Sequence, residues 1–171
     1  MAGMRVRRPD EIRENRRRRS HSCWGHLIVA PLWAQHGANL GTLLRTCDAV
    51  GACMAVPPHD WVPEALRRGN TLPGRSCVHR TGNPERWIER EREKGARIVG
   101  VELVEGATRL ADLSAARQRT VILLGHERTG IPESMLELVD EAVEIPMIGR
   151  GASLNVAVSG SLVLYRLAGL L

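Results

Sequence analysis

The chain has no phenylalanine, a single tyrosine (Tyr165) and a single lysine (Lys94) among its 171 residues. With aromatics at 3%, Leu, Val, Ile and Ala must fill the interior, and platforms for stacking bases are scarce. Cys23, Cys47, Cys53 and Cys77 form no CxxC pair and no zinc spacing, which points to a reducing compartment and to no metal. His21-Ser-Cys-Trp-Gly-His26 has the look of half a metal site, but no second cluster completes it. Gly149-Arg-Gly-Ala-Ser-Leu154 does not complete GxGxxG, and no Walker sequence exists; ordinary dinucleotide and nucleoside triphosphate binding are disfavoured. Uninterrupted long apolar runs are missing as well. Arg16 to Arg19 followed by Leu27 to Ala34 imitate a signal peptide, but Pro31 breaks the apolar part. The run from Leu154 to Leu171 contains Asn155, serines and Arg166, so it reads as a helix buried in protein rather than in lipid.

What is abundant is arginine. The formal charge of +5 and pI near 9.7 fit a polyanionic partner, because arginine forks match phosphate oxygens at two points. A GC-rich genome would leave the same mark on composition, so position has to decide. Arg13 and Arg16, Arg17, Arg18 and Arg19 concentrate the charge in a basic extension over residues 1–22 with almost no apolar face. Residues 23–171, with 18.9 kDa for the whole chain, suffice for one well-buried domain.

Short β-rich runs alternate with helical patterns along that domain. Strands are expected at Leu27 to Ala30, Cys53 to Val56, Arg97 to Val101, Thr120 to Leu124 and Ala142 to Ile145, and helices at Asn39 to Val50, Pro63 to Arg68, Pro84 to Lys94, Pro132 to Val139 and Ser153 to Leu170. Thr120-Val-Ile-Leu-Leu124 is apolar on both faces, the mark of a parallel sheet covered by helices on each side. Ligands of such α/β folds lie at the carboxyl ends of the strands.

Three Gly-rich segments fall at that edge. His36 to Ala52 carries Asn39 and Arg45 in an otherwise apolar helix, and the pair is expected to be buried there. Gly125-His-Glu-Arg-Thr-Gly-Ile131 follows a strand and leads to Pro132, suited to a helix start; Glu127 either serves a site or only binds a nearby helix N-terminus. Ile145-Pro-Met-Ile-Gly-Arg-Gly-Ala-Ser-Leu-Asn-Val-Ala157 bends at its glycines, with Ser153 placed as N-cap of the last helix and Asn155 in its first turn. Ala157, Ser159, Gly160 and Ser161 permit close packing.

Taken together, and in this order, the three segments resemble the motifs of the SPOUT methyltransferases, and among them the SpoU/TrmH type of RNA 2′-O-ribose methyltransferase. The resemblance covers about Leu27 to Leu171. It implies a parallel α/β domain with a C-terminal trefoil knot, which ordinary topological rules would not suggest, S-adenosylmethionine bound in the knot, and a homodimer with the active site beside its interface. By position it implies catalytic roles for Arg45, Asn39, Glu127, Ser153 and Asn155. Cofactor contacts would come from Leu124, Gly125, Glu127, Gly130, Ile145, Met147, Ser153 and Leu154, and RNA contacts from Arg45, Arg128, Arg150 and the arginines of the extension. No metal is needed, since the sulfonium methyl is already activated and the protein has to align an oxygen with it and manage one proton. Arginine stays protonated, so Arg45 suits a phosphate clamp or an oxyanion partner better than a base. A separate N-terminal RNA-binding domain is missing, which favours tRNA over rRNA, in the cytoplasm. Base-nitrogen methylation and a catalytically silent RNA-binding role on the same fold are the competing readings.

Overall fold

The computed structural model describes residues 26–69 and 77–171; the basic extension with its arginines, and Cys23, lie outside the described residues. Seven strands form one parallel sheet: β1 (Leu27–Ala30), β2 (Cys53–Val56), β3 (Val78–Arg80), β4 (Arg97–Val101), β5 (Thr108–Arg109), β6 (Thr120–Leu124) and β7 (Glu141–Glu144), in the spatial order β3-β2-β1-β6-β4-β7-β5. The central pair is β1 and β6, with Leu27 opposite Thr120 and Ala30 opposite Leu123. Every residue of both strands is buried, as expected of strands covered on two faces.

Alternation along the strands divides the core in two. Leu27, Val29, Met54, Val99, Ile122 and Leu124 face α1 (Gly37–Val50) and α5 (Val156–Leu167), where Leu40, Leu43, Leu44, Val163 and Leu164 meet them. Ile28, Ala30, Cys53, Ile98, Val121 and Leu123 face Trp87 and Ile88 of α3 (Pro84–Glu93) and Met135 of α4 (Glu133–Leu136). A fully buried leucine such as Leu43 truncated to alanine loses about 2–5 kcal/mol from transfer and cavity together. On the same side of the sheet as α1 and α5, α2 (Val62–Gly69) packs on α1. Gly160 lets α5 approach: a Cβ there would lie 2.6 Å from Leu124 Cδ1 and 2.8 Å from Leu43 Cδ2.

Several boundaries differ from the sequence reading. β3 and β5 were not expected, being three and two residues long and carrying His79, Arg80 and Arg109 instead of an apolar run. The helix expected from Pro132 to Val139 stops at Leu136, after which Leu138 and Val139 donate to carbonyls three residues back and the Asp140 carboxylate accepts from Ile98 N at 2.7 Å. The last helix starts at Val156, and its N-cap is Asn155 rather than Ser153. Finally, Cys53 and Cys77, expected as free thiols, are joined by a disulfide. Their separation in sequence hides what the parallel register creates: Met54 pairs with Val78, so the preceding residues stand side by side.

Candidate active site

The loops after β1, β4, β6 and β7 meet at the carboxyl edge of the sheet. The loop after β6 is pinched shut by His126 and Gly130, whose backbones exchange two bonds of 2.9 and 3.0 Å. Two glycines make this possible. Gly130 has φ +70°, and a Cβ there would sit 2.2 Å from Glu102 Oε2; a Cβ on Gly125 would sit 2.2 Å from the Gly130 carbonyl carbon. His126 Nδ1 accepts from Arg128 N and Thr129 N at 3.0 and 3.4 Å, turning the Arg128 side chain to solvent.

Glu127 leaves this loop to reach the start of α1. Its carboxylate accepts from Gln35 N (3.2 Å), His36 N (3.2 Å) and Asn39 Nδ2 (3.0 Å). The N-cap His36 makes no side-chain cap bond, so a carboxylate from another loop serves the free N–H groups and complements the helix dipole. Burial by itself would raise the Glu127 pKa. The N–H groups of Glu127, Gln35 and His36 and the Asn39 amide outweigh it and hold the carboxyl below its ordinary 4.5.

Asn39 passes the contact on. Its Oδ1 accepts from Asn155 Nδ2 at 3.0 Å, while Asn155 Oδ1 caps α5 by accepting from Ala157 N (2.9 Å) and Val158 N (3.3 Å). The direction of both amides follows from their partners: a carboxylate and two backbone N–H groups leave one orientation in which every atom is satisfied. All three Gly-rich segments are thus tied by one chain of hydrogen bonds, Asn155 to Asn39 to Glu127, and Glu127 both bonds a helix N-terminus and belongs to the site.

Beside this chain lies a cavity of about 350 Å³. Leu124, Gly125, Glu127, Gly130, Ile145, Met147, Ser153 and Leu154 all line it, so the structure gathers every residue assigned to the cofactor. Sequence reasoning missed Val101 at the end of β4, Glu102 and Leu103 just after it, and Ser159 on α5. Glu102 is central to the site, since its carboxylate accepts from Ile131 N (2.9 Å) and Leu103 N (3.1 Å) and braces the loop after β6. Its position just past a β-strand was the available signal. A second cavity, of about 500 Å³, shares His126, Thr129 and Gly130 with the first. Trp33 and Trp61 line it together with His59, which stacks on Trp61, so half of the few tryptophans collect beside the site.

Arg45 departs from expectation. Asn39 is buried, but Arg45 is exposed on α1 and does not line the cavity; a helix turns 100° per residue, so six residues carry it well off the face of Asn39. Arg128 stands exposed on the rim of the cavity, and Arg150 is exposed in the bend after β7.

The cavity suits S-adenosylmethionine. Leu124, Ile145, Met147 and Leu154 offer apolar walls, backbone groups at the strand ends offer hydrogen bonds, and Glu102, Glu127 and Glu144 surround the space with negative charge that favours a sulfonium cation.

Comparison with known proteins agrees with this geometry. The chain is 29% identical over 81% of its length to mouse tRNA (guanosine(18)-2′-O)-methyltransferase TARBP1, of which it spans 9%. It is 27% identical over 94% of its length to the tRNA (guanosine(18)-2′-O)-methyltransferase of Aquifex aeolicus, spanning 74% of that protein. The AdoMet-bound rRNA methyltransferase from Sinorhizobium meliloti superposes with a TM-score of 0.70 at 27% identity, over 84% of this chain and 56% of that one. The SpoU rRNA Methylase family matches residues 27–165, nearly all of the folded part, and the chain belongs to that family.

Proposed function

We propose that this chain is an S-adenosylmethionine-dependent RNA 2′-O-ribose methyltransferase that takes tRNA in preference to rRNA, works as a homodimer and acts in the cytoplasm. The observation that carries the reading is the hydrogen-bond chain Asn155–Asn39–Glu127 beside a cavity of the right lining. Family membership supports it, as do tRNA 2′-O-methyltransferases among its relatives. A trefoil-knotted C-terminal part is included in this reading. In a homodimer Arg45, exposed and away from its own cavity, would act in the site of the partner subunit. Ile148, Leu154 and Val158, all exposed apolar residues beside the cavity, are the surface the second copy would cover.

The bound cofactor supplies a methyl group already activated for transfer to an oxygen. The protein's part is to hold and align. Glu102, Glu127 and Glu144 favour the cation electrostatically, and Ser153 offers a hydroxyl at the rim. Arg45 grips a phosphate next to the target ribose and stabilises charge growing on the 2′-oxygen, without itself giving up a proton. Trp33 and Trp61 offer an apolar wall to the base of the bound nucleotide. Arg128, Arg150 and the arginines of the extension follow the backbone phosphates.

The test is nucleoside mass spectrometry of host RNA incubated with purified protein and S-adenosylmethionine. A 2′-O-methylnucleoside in tRNA is expected. Methyl groups on bases alone would transfer the chain to the base-nitrogen reading; tight cofactor binding with no methylated RNA would make it a silent RNA-binding protein.

A further inference from the structure

Away from the cavity, Cys53, Cys77 and His79 bring their ligand atoms within 4.8 Å of one another. Cys53 ends up beside Cys77 because β2 and β3 are parallel neighbours, with Met54 N donating to Cys77 O at 2.9 Å. His79 of β3 follows Cys77, the residue just before the strand, by two positions, so in extended backbone both side chains project to the same side. The proposed reaction uses none of the three. We propose that, once a thiol or phosphine reductant has supplied the two electrons that open the Cys53–Cys77 disulfide to two thiols, Cys53, Cys77 and His79 bind one thiophilic divalent metal ion of the zinc class, the two thiols releasing their protons to solvent as they ligate it.

Three observations converge. The Cys77 Sγ to His79 Nε2 distance is 3.5 Å, and a tetrahedral ion with ordinary Zn–S and Zn–N bonds sets its sulfur and nitrogen ligands roughly 3.5 Å apart. The Cα atoms of the two cysteines are 4.8 Å apart, so the sulfurs separate to a tetrahedral edge by side-chain rotation, without moving either strand. Charge also balances: two thiolates and a divalent ion sum to zero, which suits Cys53, 1% exposed in the layer under α3.

Nε2 is the imidazole atom turned toward Cys77 Sγ, and it is the atom that would ligate. Glu91 is committed to Arg119 and Lys94 and supplies no ligand. A water molecule would complete the tetrahedron as the fourth ligand. Cys47 stays out of this chemistry, as burial pushes its thiol pKa far up.

Cobalt(II) added to the full-length protein under a phosphine reductant is the test. One ion per chain is expected, with the thiolate-to-cobalt charge-transfer band and the intense visible bands of a tetrahedral site. Oxidation with diamide beforehand should abolish the bands. C53A/C77A, which keeps Cys23 and Cys47, should abolish them too, and His79→Ala should weaken binding at least tenfold with cofactor affinity unchanged. No charge-transfer band in the reduced protein overturns the proposal, and so does a band that survives C53A/C77A or an affinity indifferent to His79→Ala. If C53A/C77A does not fold, the diamide and His79→Ala measurements still decide.

Discussion

The amide of Asn155 donates to the side-chain oxygen of Asn39 at 3.0 Å, across 116 positions of sequence. That bond joins the cap of the last helix to the first helix, and through Asn39 to Glu127, so the three residues proposed to serve the site also hold the fold together.

Asn155→Ala removes the cap of α5 and leaves Asn39 Oδ1 without its donor. Loss of an N-cap costs about 1 kcal/mol, and the cavity wall formed by Ser153 and Leu154 loses its anchor. Urea unfolding should show that loss of stability, and calorimetry should show weaker S-adenosylmethionine binding in the same variant. Asn155→Ser, which restores a cap without the amide donor, should recover stability but not affinity.

Glu127 sets a stability effect with a definite sign. Its folded pKa lies below the ordinary 4.5, so on acidification the unfolded chain takes up the proton first. The stabilisation is present above pH 4.5 and disappears as pH falls through the lower folded value. Urea midpoints measured down that range should converge between wild type and Glu127→Gln; a gap that widens toward acid would contradict the assignment.

Arg45 is exposed and does not line the cavity. Arg45→Ala should therefore change stability by no more than about 0.5 kcal/mol and leave cofactor affinity unaltered, while turnover on RNA is lost. Arg45→Lys should stay impaired, since an ammonium does not reproduce the planar fork. Mixing Arg45→Ala with Asn155→Ala protein tests the partner-subunit role: mixed dimers would recover one intact site, and activity above the sum of the two would report it.

Gly130→Ala places a methyl group 2.2 Å from Glu102 Oε2 on a backbone with φ +70°. The conformation alone costs about 1–2 kcal/mol for an L-residue. Pairing it with Glu102→Ala should relieve the clash but not the backbone strain, which a double-mutant cycle in urea would read as coupling between the two positions.

The strands that were legible are the ones whose residues are apolar on both faces. Leu27 to Ala30 and Thr120 to Leu124 declare a doubly covered parallel sheet, and the glycines after them declare its ligand edge. β3 carried no such signal, because His79 and Arg80 sit at the sheet's edge where polar side chains meet water. The cap of α5 was misplaced from Asn155 to Ser153 because both residue types cap helices, and only the bonds to Ala157 N and Val158 N distinguish them. Glu127 was legible as a polar residue in a Gly-rich bend; its partner Gln35 N, 92 positions away, was not. Glu102 and the Cys53–Cys77 pair depend on which strands become neighbours, and strand order is a property of the whole chain.

The place of β6 between β1 and β4 has a consequence for how the molecule comes into being. β1, β2 and β3 can associate as soon as they are synthesised, being consecutive neighbours, but the other side of β1 stays open until residues Thr120 to Leu124 arrive. During that interval Leu27, Ile28, Val29 and Ala30 present free backbone N–H and C=O groups on an entirely apolar strand, the type of edge that pairs readily with other chains. Nascent or partly unfolded protein should therefore aggregate far more readily than the native form, and conditions that hasten insertion of β6 should raise the yield of refolding.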